Sequence, residues 1–267
     1  MRHIKRYTQL FESVQELSQE QRDWLDECSK GKWRLNPKTG LVDVSGDFRC
    51  NAQKLPSFKG VRFGRISGKF DCSYNSLTSL EGSPQSVGGT FDCSFNSLTS
   101  LKGAPQSVGG TFSCHNNSLT SLKGAPQSVS GNFDCSYNSL TSLKGSPQSV
   151  GGYFSCSYNS LTSLKGSPQS VGGYFFCSFN SLTSLEGAPR KVSDGFHCDN
   201  NTISERTIKE VLKRMSDSGI SLGQAVESYW RYISKDDRLY LAKHNPNLSP
   251  EDKRGYEALL KFRDKII

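Results

Sequence analysis

The chain has no apolar run approaching the ~20 residues that span a bilayer, so no membrane segment is expected. Met1–Ser13 lacks the apolar core of a secretory signal. Histidine is scarce: His3, His115, His197 and His244 fall in no metal-ligand spacing. None of the nine cysteines forms a C-x-x-C pair, and the odd count argues further against a zinc site. There is no G-x-S-x-G around any serine and no G-x-x-x-x-G-K-[ST] phosphate loop; the recurring Gly-Gly is turn chemistry. No catalytic residue, metal or cofactor is therefore assigned, and the expectation is a non-enzyme. Hydrophobic residues make up only 34%, low for a globular protein, yet the Gly, Ser and Asn that replace them recur at fixed positions, which excludes disorder. The formal charge of +8 favours an acidic partner.

What is present is a repeat. Cys72, Cys93, Cys114, Cys135, Cys156, Cys177 and Cys198 follow one another every 21 residues, and Cys50 precedes Cys72 by 22. Two residues before each stands a Phe, from Phe48 to Phe196, and six before an aliphatic, from Val44 and Ile66 to Val192. Three after stands Asn, from Asn75 to Asn201; five after, Leu, from Leu55 to Leu182 and then Ile203; eight after, Leu again, from Leu80 to Leu185. Phe-x-Cys alternates with polar residues and reads as a short strand with Phe and Cys inward. One such unit cannot bury its own apolar side, so copies stack. Stacked strands lie ~4.8 Å apart, so about eight coils make a rod roughly 40 Å long. The Asn column is expected to bond the backbone of adjacent coils, as a buried amide must. The Gly after the second Leu and the Pro two residues later (Gly82 and Pro84 to Gly187 and Pro189) exclude a regular helix on the far side, where extended or turn structure is expected. The repeat cysteines then need no redox role. They are small neutral interior residues, which suits a reducing intracellular compartment; Cys28 belongs to a helix core.

A partner is expected on the outward strand positions, because these differ between coils. They read Lys69/Asp71/Ser73, Thr90/Asp92/Ser94, Thr111/Ser113/His115, Asn132/Asp134/Ser136, Tyr153/Ser155/Ser157, Tyr174/Phe176/Ser178 and Gly195/His197/Asp199. Asp71, Asp92 and Asp134, with His115, mark the early coils; Tyr153, Tyr174 and Phe176 should cluster late in the rod as hot-spot material. A basic ridge, Lys102, Lys123, Lys144 and Lys165, is bracketed by Glu81 and Glu186 and invites an anionic partner. A third column, Tyr74, Phe95, Tyr137, Tyr158 and Phe179, precedes the Asn. Its neighbours are Ser and Asn rather than Arg or Lys, so nucleic acid is the lesser alternative.

An open solenoid needs covered ends. Residues 1–43 read as a cap: helices over Tyr7–Leu17 and Ser18–Cys28, then a hairpin of Lys32–Leu35 and Gly40–Val44 turning through Asn36-Pro37-Lys38-Thr39. The solenoid spans 44–203. Residues 204–267 read as a helical domain. Thr202-x-x-Glu205 is a capping box before Ile208, Val211, Leu212 and Met215, and Ser249-Pro250-Glu251-Asp252 opens a last helix bearing Tyr256, Leu259 and Leu260.

The columns resemble the leucine-rich repeat, L-x-x-L-x-L-x-x-N-x-L, with Phe and Cys in the second and third apolar slots. The resemblance implies a leucine-rich-repeat solenoid with small α-helical N- and C-terminal caps. The "NSLTSL" string is similar to the short repeats of secreted bacterial ubiquitin ligases. Residues 204–267, however, hold no Cys, so ligase activity is not implied. One spacing also departs from the pattern: the first aliphatic lies four residues before the Phe, not three. The lead-in of Trp33, Leu41–Val44 and Gly46–Phe48 before near-identical coils resembles leucine-rich-repeat proteins of large tailed phages. Met1–Ser13, basic and ending Leu10-Phe11-Glu12-Ser13, resembles the capsid-targeting peptides of internal head proteins, which implies cleavage after Glu12. The expectation is a monomeric protein-binding scaffold in a bacterial or phage-infected cytoplasm, the alternative a protein packaged in the virion.

Overall fold

The computed structural model describes residues 16–203. The helices expected over Tyr7–Leu17 and beyond Thr202, and the cleavage site at Glu12, fall wholly or mainly outside them. Within this range the chain is a parallel β-solenoid with a 21-residue coil and little helix. Each coil contributes two very short strands, not one. Phe-x pairs build an eight-stranded sheet from Phe48–Arg49 to Phe196–His197, and the aliphatics, with the residue before them, build a second ladder of parallel strands. The registers Phe91↔Phe112 and Val87↔Val108 repeat the sequence period.

The extra residue between aliphatic and Phe is accounted for by the corner that joins the two sheets. There the Gly-Gly pair keeps its own ladder with the coil before: Gly109 N–H donates to Val87 O and Gly110 N–H to Gly89 O, both at 2.9 Å. A Cβ on Gly131 would come within 2.7 Å of the Gly110 backbone, so this corner is as tight as the strands beside it.

The interior is a set of columns. The Phe rings are fully buried and stack coil on coil, with centroids 5.5 Å apart and planes 6° apart at Phe70–Phe91 and Phe91–Phe112. The Cys and both Leu columns are buried beside them. Asn96 shows how the chain turns inward. Its Oδ1 accepts the Leu77 N–H of the preceding coil at 2.9 Å, and its Nδ2 donates to Cys72 O at 3.0 Å and Cys93 O at 3.1 Å. The pattern recurs from Asn75 to Asn201, so each coil's turn is completed by its neighbour.

At the N-terminal end, helix α1 spans Gln19–Ser29 and starts at a capping box between Ser18 and Gln21. Its Trp24 ring meets Phe48 edge-on at 5.3 Å and Phe63 at 6.2 Å, covering the first coil's rings. Strands β1 (Trp33–Leu35) and β2 (Val42–Val44) form the expected antiparallel hairpin. Strand β2 also pairs in parallel with Phe63–Ile66, so it is the solenoid's first rung rather than part of a separate cap. The degenerate first coil fills its core with Phe58, Val61 and Phe63, outside the repeat columns and missed from the sequence.

Candidate partner-binding face

The outer side of the Phe sheet differs from the expected row of free acids. Asp71 is only 7% exposed, and Ser73, Ser94, Ser113, Ser136, Ser155 and Ser157 are buried as well. Identical small residues stacked coil on coil leave little room between them for water. The acids are also tied locally. In three coils the Asp Oδ1 accepts the hydroxyl of the Ser two residues on at 2.6 Å, and that residue's N–H at 3.0–3.2 Å (Asp71/Ser73, Asp92/Ser94, Asp134/Ser136). Lys69 Nζ lies 2.9 Å from Asp71 and 3.8 Å from Asp92. Burial pushes the Asp71 carboxyl up, but the hydrogen bonds from Ser73 and Lys69 outweigh it and the net shift is downward. Asp71 is thus an internal ion-pair partner, not a ligand-facing acid.

His115 sits in a coil that departs from its neighbours, with Asn116 in place of the exposed aromatic ring. Its Nδ1 is 2.7 Å from Ser113 Oγ and 3.9 Å from Asp134 Oδ2. Ser, His and Asp meet here, but one ring nitrogen faces both partners. A nucleophilic relay needs the base and its orienter on opposite nitrogens, and this arrangement supplies none.

Late in the rod the structure brings Tyr153, Tyr174 and Phe176 together, and adds His197. Tyr153 is edge-on to Phe176 at 6.0 Å; Tyr174 lies 5.6 Å from Phe176 and 5.7 Å from His197; Phe176 stacks on His197 at 5.0 Å with planes 20° apart. The Tyr174 ring lies where a side chain on Gly195 would project, so that glycine seats it. Tyr174 is 43% exposed; Tyr153, Phe176 and His197 are half-buried. Burial lowers the His197 pKa below that of a free imidazole, against the opposing pull of Asp199. Burial, and then the nearby Asp134 charge, raises the Tyr153 phenol. The sequence signal for His197 was its place in the same outward column as Phe176.

The basic ridge lies on a different side of the coil. Lys102, Lys123, Lys144 and Lys165 are all exposed, and Lys165 pairs with Glu186 at 3.1 Å. The third column forms two runs of exposed stacked rings: Tyr74–Phe95 at 4.2 Å, then Tyr137–Tyr158 at 4.2 Å and Tyr158–Phe179 at 4.3 Å, with planes within 10°. Each of these residues has φ between 52° and 56°, the left-handed turn that ends the strand. Within each run the rings cover one another's faces, so no slot for a base opens between stacked neighbours. The run breaks at Asn116, where His115 lies edge-on to Phe95 instead.

The cysteines are all free and buried. The Sγ–H of Cys72, Cys93, Cys135 and Cys177 donates to a carbonyl of the next coil at 3.1–3.3 Å, and burial pushes these thiols well up. Among the described residues no three His, Cys, Asp or Glu side chains converge on a metal-sized site, and no helix is long and apolar enough to cross a membrane. A shallow cleft beside the hairpin, lined by Lys32, Trp33, Arg34, Asp43 and Arg65, was not foreseen.

These observations define the class: a parallel β-solenoid repeat protein with one graded outer face, small and polar early and aromatic late. No family model, curated protein or solved structure matches the chain.

Proposed function

We propose that this chain is a non-catalytic protein-binding scaffold of the leucine-rich-repeat type, which recognises its partner through the outer side of the Phe sheet. The observation that carries the reading is the joined cluster of Tyr153, Tyr174, Phe176 and His197. Half-exposed aromatic rings held by a rigid backbone are the usual composition of binding hot spots. A preformed face also loses little conformational entropy on binding. The leucine-rich-repeat assignment is supported by the Phe, Cys and Leu columns with their Asn ladder. The monomeric state and the bacterial or phage-infected cytoplasm belong to the same proposal.

The test is affinity capture of the tagged chain from its native or infected cell, compared with a Tyr153→Asp/Tyr174→Asp/Phe176→Asp variant whose melting curve shows it folded. One dominant protein retained by the parent and lost by the variant supports the reading. Equal capture by both places binding elsewhere.

A further inference from the structure

The charge of the whole chain and the charge of this face have opposite signs. The +8 excess suggests an acidic partner, but the ridge lysines follow the second Leu of each coil, away from the Phe sheet. On the outer columns of that sheet from Lys69 to Phe176, the acids are Asp71, Asp92 and Asp134, and the one cation, Lys69, is held 2.9 Å from Asp71. An acidic segment laid along this sheet would meet like charge, which costs affinity and slows encounter.

We propose that the segment this face receives is basic: an extended peptide whose arginine lies against Tyr153 and Phe176 with its guanidinium on Asp134. The inference rests on the binding-face reading above and names the chemistry of the partner. Asp134 is preorganised. Its Oδ1 is occupied by the Ser136 N–H at 3.0 Å and hydroxyl at 2.6 Å, which fixes the plane of the carboxylate. Its Oδ2 is 3.9 Å from His115 Nδ1, beyond hydrogen-bond reach, and the side chain is 19% exposed, so this oxygen is partly desolvated and still open to a donor. In the next coil stands Tyr153, and beyond it Phe176 at 74° to the Tyr153 ring, a corner with an aromatic face on each side. Guanidinium satisfies both demands. It stacks on aromatic faces and presents a planar fork to a carboxylate, which the compact, strongly hydrated ammonium of lysine does less well. A phosphate backbone would meet Asp134 as a repulsive charge, so nucleic acid is not the occupant.

The experiment is selection of random displayed dodecapeptides on the immobilised full chain, followed by titration of the enriched peptides. Arginine-bearing peptides should dominate. Asp134→Asn, which keeps an oxygen for Ser136 while removing the charge, should weaken them about tenfold or more, as loss of a charged hydrogen bond does. Replacing the peptide arginine with glutamine should cost as much in the parent and little further in the variant. Enriched peptides that are acidic or lack arginine, yet are lost in the Tyr153/Tyr174/Phe176 variant, overturn the arginine inference alone. Peptides that bind that variant undiminished, or failure to enrich any, count against the face itself. Unchanged binding to a folded Asp134→Asn chain overturns the assigned contact.

Discussion

The side-chain oxygen of Asn117 accepts the backbone N–H of Leu98, one coil earlier, at 2.9 Å. The same amide donates through Nδ2 to Cys93 O and Cys114 O, both at 3.1 Å. A single side chain therefore satisfies backbone groups of two coils where no strand pairing reaches them. Asn117→Ala leaves the Leu98 N–H buried and unpaired, while Cys93 O and Cys114 O keep the amides of Asn96 and Asn138, and should destabilise the chain by about 1–3 kcal/mol. Urea unfolding measures it. A loss under about 0.5 kcal/mol would show that water replaces the amide at no cost.

The thiols should be silent in the folded chain. Those of the repeat are buried, burial holds Cys50 to Cys177 in the protonated form, and it raises Cys28 to about 11. A disulfide thiol reagent at pH 8 should label none of the described cysteines until denaturant is added, and then all nine. Fast labelling of any in native buffer would show local opening of its coil.

Gly124 has φ +92°, and a Cβ there would lie 2.8 Å from the Leu101 carbonyl oxygen. Gly124→Ala must strain its own backbone and push the neighbouring coil away, at about 1–3 kcal/mol. The expected readout is a lower urea midpoint with little change in slope. An unchanged midpoint would mean that the corner relaxes freely.

The coil at Ser113, His115 and Asn116 should be improvable. Ser113→Asp/His115→Ser/Asn116→Tyr restores the neighbouring pattern and lets one ring stack on both Phe95 and Tyr137. Ring pairs add about 0.5–1.5 kcal/mol each. A side chain with Cβ and no local hydrogen bond gives part of that back in the left-handed region, about 1 kcal/mol. The triple variant should melt a few degrees higher. A lower melting temperature would show that His115 contributes more than the ladder it interrupts.

His197 makes stability depend on pH in a defined direction. Burial lowers its folded pKa, so on acidification the unfolded chain takes up the proton first. Stability should therefore fall as pH drops from the ordinary imidazole range towards the lowered value, then level off. His197→Gln should remove that part of the slope in melting temperature against pH. An identical slope in parent and variant would place the proton uptake elsewhere.

Much of this was legible before the structure. Apolar residues spaced 21 apart can only be buried by stacking, so Phe91, Cys93, Leu98 and Leu101 declared themselves interior, as did Asn96 by its fixed place between them. The hairpin of Trp33–Leu35 and Val42–Val44 was signalled by its Asn-Pro-Lys-Thr turn. The second ladder was not legible. Ser86–Val87 is too short for periodicity to show, and its pairing depends on how closely the Gly-Gly corner lets coils approach.

The candidate site divides in the same way. Alternation placed Asp71, Asp134, Tyr153, Tyr174 and Phe176 on one outer side, because successive strand residues must point oppositely. Only the tertiary structure decided which of them meets solvent. Whether an outward side chain is covered depends on what stands in the same column one coil away and on a hydroxyl two residues on, and pattern carries neither. Asp71 is sealed by Ser73 and Lys69, Asp134 keeps one oxygen open, and Tyr174 is lodged over Gly195 beside His197. The sequence by itself determined the coil, its period and its interior. Stacking settled the chemistry of the face, since contacts between side chains one coil apart set exposure and charge pairing.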